Sequence, residues 1–235
     1  MITLKKFRLV SFDMFQTLVD VDDRRHQVWQ RILRDSYSLQ FAEEYWKEAG
    51  KLIAEHFNRF THETETFCTI KEIFEGCYKE LLPRVKVDCE PAFAARILAG
   101  EHCFAPVYAD APAFFRAVKE RYQTCLISDA DSDMILPLLK VFEFDKVYIS
   151  EDCKCYKSSP DGKIFREALE YFGVEPQEAI HIGDGYSDVM GASGAGMATC
   201  WLNRHGAVWK YEQKPDYTVS SLTEAADILG IRLSG

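Results

Sequence analysis

Residues 180–204 read IHIGDGYSDVMGASGAGMATCWLNR and join two strand patterns through one helix pattern. The apolar residues 179–182 predict a buried strand that ends at a Gly-Asp pair. Residues 187–195 predict a helix, and residues 198–202 predict a second strand. Two strands connected by a helix lie parallel in one sheet. This stretch therefore predicts an α/β fold built on a parallel sheet.

The same alternation extends outward over most of the chain. Phe7–Phe12 forms a short apolar run, which is typical of a central strand. Further strands are predicted at Gln123–Ser128, Lys146–Ser150 and Tyr217–Val219, and helices from Pro112 and at Met134–Phe142, Asp161–Phe172 and Leu222–Leu229. The fold class is therefore α/β, with a Rossmann-like parallel sheet and helices on both faces.

A helical block interrupts this alternation after the first strand. Apolar residues recur at helical spacing from Phe41 to Phe60, and Arg25–Tyr37, Thr69–Leu82 and Pro91–Cys103 also have helix patterns. Nothing there has the pattern of a strand. We expect a core domain of residues 1–19 and 105–235 and a small all-helical domain of residues 20–104.

Composition excludes several classes of function. The 235 residues carry a net charge of −9, which argues against nucleic acid as the main partner. No apolar run approaches the ~18 residues of a membrane span, and residues 1–6 do not resemble a signal peptide. The eight cysteines are scattered, so we expect reduced thiols and no zinc site. A cytoplasmic protein is expected, with no membrane partner.

Polar side chains follow three of the predicted strands. They are Asp13, the pair Ser128-Asp129 and the pair Gly183-Asp184. Each has an ordinary explanation as a helix cap or a turn residue. However, ligands of open parallel sheets bind at the carboxyl ends of the strands. Together these residues predict one site at that edge of the sheet. His181, inside a buried strand, is interpreted as a core residue.

The order of these motifs resembles that of the haloacid dehalogenase-like (HAD) superfamily. Residues 13–18, Asp-Met-Phe-Gln-Thr-Leu, stand for its first motif, and Ser128 for its second. Lys157 stands for the third, and residues 183–188, Gly-Asp-Gly-Tyr-Ser-Asp, for the fourth. The helical block lies where many members carry a helical cap domain. The resemblance implies a hydrolase, most simply a small-molecule phosphatase.

The resemblance also implies the chemistry of the site. Asp13 would be the nucleophile and would form an aspartyl-phosphate intermediate. A Mg²⁺ ion would be held by Asp13, the backbone carbonyl of Phe15 and Asp184, with Asp188 acting from outside or through water. The substrate would be a small anion, such as a phosphate ester or an acyl phosphate.

Four residues are implied to hold that substrate: Thr17, Ser128, Asp129 and Lys157. The lysine is the least regular of them. Residues 159–165, Ser-Pro-Asp-Gly-Lys-Ile-Phe, fit the family's frame with serine in the place of lysine. Lys157 lies two residues earlier, and its long side chain can bridge a small change in the loop. Lys154 and Lys163 stay as alternatives.

The sequence departs from the phosphatase pattern at Phe15, where these enzymes carry a second aspartate that acts as general acid and base. Phenylalanine cannot perform proton transfer, which is typically worth ~10²–10⁴ in rate. Three alternatives therefore stay open. They are hydrolysis of a carbon–halogen bond, hydrolysis of a carbon–phosphorus bond, and a catalytically weak protein that binds a ligand or a protein partner.

Overall fold

The structure is a computed structural model that describes residues 7–62, 66–159 and 162–233. It divides into two compact units. The first contains the described residues up to Val19, then Val107–Asp129 and Leu139 onward. The second contains Asp20–Pro106 and also Ala130–Leu138, a segment that was expected in the core domain.

The first unit is built on a parallel sheet, which confirms the predicted fold class. The spatial order of the strands is β3-β2-β1-β4-β5-β6, and every neighbouring pair is parallel. Because β1 is central and the order reverses on its two sides, the carboxyl end of β1 lies at the topological switch point. The strands are β1 (Leu9–Phe12), β2 (Gln123–Ser128), β3 (Lys146–Ile149), β4 (Ala179–Gly183), β5 (Ala198–Leu202) and β6 (Tyr217–Val219).

Alternation along β1 supplies the core on both faces of the sheet. Leu9 packs in a cluster with Cys125, Ile127 and the helix residue Phe165. Phe12 lies on the other face, 6.1 Å from the ring of Phe114. All four residues of β1 are buried, as expected for a central strand. The helices of this unit are α5 (Ala111–Lys119), α7 (Ser150–Cys153), α8 (Lys163–Phe172), α9 (Tyr186–Gly194) and α10 (Leu222–Ile228).

The second unit is helical in its described residues. It contains α1 (Arg25–Leu33), α2 (Leu39–His62), α3 (Ile70–Arg84), α4 (Pro91–His102) and α6 (Ser132–Ile135). Its core includes Trp29, which contacts Tyr45 and Tyr78 edge-on. The buried Asp131 carboxylate accepts bonds from the backbone nitrogens of Ile70 and Lys71, and so satisfies the free donors that begin α3. Within the described segments, the helices are too short or too polar to cross a membrane.

One predicted helix is wrong. Instead of a helix over Met134–Phe142, the structure has the single turn α6 and a 3-10 turn at Leu138–Lys140. Pro137 explains the break, because a proline has no backbone N–H with which to continue the helical hydrogen bonds. The other predicted helices and strands are present with ends shifted by a few residues. Residues 1–6 and the Pro160-Asp161 part of the third motif lie outside the described residues.

Candidate active site

Three residues from distant parts of the chain meet at the carboxyl end of β1. Asp13 follows the strand directly and is buried. Its Oδ1 atom accepts a hydrogen bond of 2.8 Å from Ser128 Oγ, at the end of β2, and one of 2.7 Å from Lys157 Nζ. The nucleophile, second-motif serine and lysine proposed from the sequence thus form one contiguous group.

The loop that carries Lys157 is held by close backbone contacts. Its backbone nitrogen donates a 2.9 Å hydrogen bond to Oδ1 of Asp129, which follows Ser128. On its other side the loop lies against Gly191 of α9. A side chain at Gly191 would overlap the carbonyl of Lys157 and the ring of Phe165, so only glycine fits there. These contacts position Lys157 so that its side chain reaches Asp13, although Lys157 lies two residues before the place expected for the lysine of the third motif. In this structure Asp129 therefore contacts the loop, whereas the sequence assigned it to substrate.

Two further carboxylates complete the group. Oxygen atoms of Asp13, Asp184 and Asp188 lie within 4.8 Å of one another. Asp188 and Asp13 are buried, and Asp184 is partly exposed. Clustered carboxylate oxygens are the ligand type that Mg²⁺ prefers, and three of them close together repel one another unless a cation intervenes. The donor set therefore fits a hard divalent cation.

The charges of the group are strongly coupled. Burial raises the pKa of Asp13, and Lys157 opposes this rise. Burial and repulsion from Asp188 and Asp13 raise the pKa of Asp184 well above its usual range. Burial also acts to raise the pKa of Asp188, but Lys157 and His181 outweigh it, so its pKa lies below the usual value. Asp188 is consequently the carboxyl group of the three that stays ionised. For Lys157, burial disfavours the ammonium, but the surrounding carboxylates raise its pKa above the usual value.

Residues 14–19 form a tight turn after Asp13. The nitrogens of Leu18 and Val19 both donate to the Met14 carbonyl, and Gln16 has a positive φ of 59°. Phe15 lies in this turn, half-buried, two residues after Asp13. Thr17 is fully buried, and its hydroxyl has no hydrogen-bond partner in the described parts of the chain.

Three residues that support the site were not proposed for that purpose from the sequence. Arg204 donates a 3.0 Å bond to the Thr17 carbonyl and so anchors the turn. Trp201 donates a 2.7 Å bond from its indole nitrogen to the Asp184 carbonyl. His181 lies 2.9 Å from Asp188. The position of Trp201 follows from strand register, because it pairs with Gly183 directly before Asp184.

The family of haloacid dehalogenase-like hydrolases matches the chain over residues 7–196. The chain belongs to this family. It is 28% identical to the glyceraldehyde 3-phosphate phosphatase of Pyrococcus furiosus, over 96% of this chain and 94% of the relative. It is 22% identical to haloacetate dehalogenase H-2 of Moraxella, over 97% of this chain and all of the relative. Among solved structures, the HAD-hydrolase YfnB of Bacillus subtilis superposes with a TM-score of 0.82 at 18% identity, covering 96% of this chain and 100% of that one.

These findings confirm the resemblance proposed from the sequence, and the protein is a HAD-like hydrolase. Its relatives include both phosphatases and dehalogenases. Family membership alone therefore leaves open the bond that is cleaved. That choice depends on the side chains around Asp13.

Proposed function

We propose that this hydrolase is a Mg²⁺-dependent phosphohydrolase that acts on a small phosphate ester or acyl phosphate. The observation that carries the proposal is the acidic cluster of Asp13, Asp184 and Asp188, in which Lys157 bridges Asp13 and Asp188. A nucleophile that attacks a carbon–halogen bond has no need of two further carboxylates beside it. A nucleophile that attacks a phosphate dianion benefits from a cation, which carboxylates hold.

The residues of the cluster suit a two-step displacement. In the first step, a carboxylate oxygen of Asp13 attacks phosphorus while the bond to the leaving oxygen breaks and takes its electron pair with it. The product is an aspartyl phosphate and an alkoxide, phenolate or carboxylate. In the second step, water attacks that phosphorus, releases phosphate and regenerates Asp13. Lys157 and Ser128 would donate hydrogen bonds to phosphate oxygens, because both already donate to Asp13.

The metal would be held by Asp13, the carbonyl of Phe15 and Asp184, with Asp188 nearby. When bound, Mg²⁺ would offset negative charge on the phosphate and the carboxylates. Asp188 already accepts hydrogen bonds from Lys157, His181 and the Gly185 nitrogen. This leaves Asp188 better suited to fix Lys157 than to bind the metal directly.

The relatives support this assignment. The Pyrococcus furiosus protein named glyceraldehyde 3-phosphate phosphatase aligns with nearly the whole chain, not only with the sheet. The HAD-hydrolase YfnB of Bacillus subtilis, which shares the fold, was solved bound to magnesium. A phosphate ester of a small molecule is accordingly the first substrate class to test.

Phe15 supports a second candidate, hydrolysis of a carbon–halogen bond through Asp13. Halide is a stable anion and leaves without a proton, so no general acid is needed. The haloacetate dehalogenase of Moraxella is a relative over the full chain. Asp184 weighs against this candidate, because an extra carboxylate beside Asp13 would repel both the nucleophile and a haloacid substrate.

We also propose that the helical domain, residues 20–104, is the cap that selects the substrate. Grafting this segment from a relative of different specificity should change KM values and substrate preference while Asp13→Asn still abolishes turnover. If the chimera folds and keeps the parent's preference, the cap assignment is wrong.

The decisive experiment compares the two reactions on the same preparation. Phosphate release from acetyl phosphate and p-nitrophenyl phosphate is measured with Mg²⁺ and with a chelator, and halide release from haloacetates is measured under both conditions. We expect Mg²⁺-dependent phosphate release that Asp13→Asn abolishes. Halide release that persists with chelator would select the dehalogenase. Absence of both activities would refute a hydrolytic role for Asp13 on these substrate classes.

A further inference from the structure

We propose that Ser11 and His181 form a buried hydrogen-bond relay that positions the Asp188 carboxylate, which in turn holds Lys157 against Asp13. The relay rests on the proposed function, because it gives Asp188 and Lys157 the roles assigned there. His181 is 1% exposed, so it cannot touch a substrate. It is therefore a positioning residue that acts through Asp188.

The register of the sheet brings the first two members together. Ser11 of β1 and His181 of β4 are paired across parallel neighbouring strands, so their side chains emerge side by side on one face. Ser11 Oγ lies 2.9 Å from Nδ1 of His181. The other ring nitrogen, Nε2, lies 2.9 Å from Oδ1 of Asp188. The imidazole thus bridges the middle of the sheet and the active-site carboxylate.

The hydrogen bonds fix the tautomer of the imidazole. Both oxygens of Asp188 face groups that can only donate, the Lys157 ammonium and the Gly185 nitrogen, so the carboxylate acts as an acceptor. Nε2 must therefore carry the proton and donate. In a neutral ring Nδ1 is then an acceptor, and the Ser11 hydroxyl donates to it at 2.9 Å rather than to the Ile180 carbonyl at 3.4 Å. Every polar atom of the relay is satisfied in this arrangement.

Asp188 is held at both of its oxygens. Oδ1 accepts from His181 Nε2 and, at 2.5 Å, from Lys157 Nζ, while Oδ2 accepts at 2.9 Å from the Gly185 nitrogen. Gly183 packs so tightly on this carboxylate that any added Cβ would overlap it. Among these donors, only His181 connects Asp188 to the rigid interior of the sheet. Loss of that bond would leave Asp188 hydrogen-bonded only to the Lys157 and Gly185 donors, which lie in loops, and would position Lys157 less firmly.

The ring of His181 is itself immobilised. The ring of Phe165, on α8, contacts it edge-on with centroids 4.9 Å apart. Helix, two strands and the fourth motif thus converge on one imidazole. When the hydrogen-bond partner of a side chain at a metal site is mutated away, metal affinity or activity typically falls ~10–100-fold.

The test compares three single variants of the full chain and the double variant that combines Ser11→Ala with His181→Leu. His181→Leu fills a similar volume with an apolar side chain and so removes the hydrogen-bond donor. His181→Gln keeps an amide donor near the position of Nε2, and Ser11→Ala removes only the outer member of the relay. Mg²⁺ affinity is measured by calorimetry, kcat and KM are measured with acetyl phosphate, and thermal midpoints report folding.

We expect His181→Leu to weaken Mg²⁺ binding and lower kcat by ~10–100-fold. His181→Gln should restore most of both. Ser11→Ala should have a smaller effect that disappears in the His181→Leu background, because the two residues act in series. In the wild type, ¹⁵N shifts of the His181 ring should report a protonated Nε2 and an unprotonated Nδ1.

Three results would overturn the relay. They are wild-type Mg²⁺ affinity and kcat in His181→Leu, equal losses in His181→Leu and His181→Gln, and a ring protonated on Nδ1 alone. If His181→Leu fails to fold, Ser11→Ala and the ring shifts still decide. If the wild type hydrolyses no phosphate compound, the proposed function fails, whereas the ring shifts continue to test the relay independently.

Discussion

The Nζ atom of Lys157 lies 2.7 Å from Oδ1 of Asp13, although 144 residues separate them in the chain. Both side chains are buried, with 5% and 6% of their surfaces exposed. A buried ammonium is costly unless carboxylates surround it, and Asp13 and Asp188 do so here. The lysine therefore balances the charge of the acidic cluster as well as contacting Asp13.

Lys157→Met should abolish turnover and also destabilise the fold. Removing one member of a buried charge group leaves uncompensated carboxylates, which typically costs about 3–5 kcal/mol. Phosphate release and denaturant unfolding would be measured in parallel. Lys163→Met is the matched control, because Lys163 was an alternative for the third motif and is exposed. If Lys163→Met lost most of its activity while Lys157→Met kept wild-type activity, Lys163 and not Lys157 would be the lysine of the third motif.

Much of the fold could be predicted because the central strands β1, β2, β4 and β5 are short runs buried almost completely on both faces. The bounds of β2, β5 and β6 agree with the predicted ones. The carboxyl ends of β1, β2 and β4 lie at one edge of a parallel sheet. This placed Asp13, Ser128 and Asp184 near one another before any distance was known. Parallel topology converts positions in the sequence into neighbours in space.

What could not be predicted depends on tertiary contacts. The contact between Ser11 and His181 requires the register of β1 and β4, and the bond between His181 and Asp188 requires the turn into α9. No local sequence pattern encodes either. A histidine in an apolar strand has the same appearance in sequence whether it packs or positions a ligand. The close approach of Gly191 to the Lys157 loop is equally invisible, because the two residues lie in different elements.

Gly191→Ala should displace the Lys157 loop. An added methyl group would lie 2.9 Å from the carbonyl carbon of Lys157 and would overlap the carbonyl oxygen and the Phe165 ring. Overpacking of this kind typically costs about 1–3 kcal/mol, and kcat should fall with it because Lys157 moves. The control is Gly50→Ala in α2, where nothing lies within 4 Å. That change should stabilise the helix by roughly 0.5–1 kcal/mol. Unchanged kcat and stability in Gly191→Ala would show that the loop adjusts freely.

His102 should make stability depend on pH. Burial lowers its pKa to about 4, and the 2.7 Å bond between Nδ1 and the Leu98 carbonyl offsets this only in part. An unfolded histidine titrates near 6.5, so between these values the unfolded chain binds more protons. The free energy of unfolding should therefore fall as pH decreases through this window, by up to about 3 kcal/mol.

The measurement for His102 is denaturant unfolding at about pH 7.5 and about pH 5. His102→Gln should lose less stability than the wild type between these conditions. His205→Gln, at an exposed histidine, is the control and should follow the wild type. Identical pH dependence in the wild type and His102→Gln would contradict the assignment.

Phe15 predicts a steep dependence of rate on the leaving group. Because phenylalanine cannot donate a proton, acyl phosphates and activated phenyl phosphates should be cleaved far faster than simple alkyl phosphates. The measurement is kcat/KM over a series of esters of graded leaving-group pKa, with Asp13→Asn as the inactive control. A flat dependence, with chemistry shown to limit the rate, would mean that another residue supplies the proton.

Phe15→Asp should restore part of the missing catalysis. The positive φ of the turn falls on Gln16 rather than on residue 15, so aspartate meets no backbone obstacle there. Burial raises the pKa of the neighbouring Asp13 and Asp184, and a new carboxyl in the same surroundings would also hold its proton more firmly, which suits a general acid. We expect alkyl phosphates to gain part of the ~10²–10⁴ that a positioned acid supplies, while acyl phosphates gain little. Phe15→Leu separates this effect from loss of the ring, since it opens the same space without adding a proton donor. An equal gain in Phe15→Leu and Phe15→Asp would assign the effect to space in the pocket and not to acid catalysis.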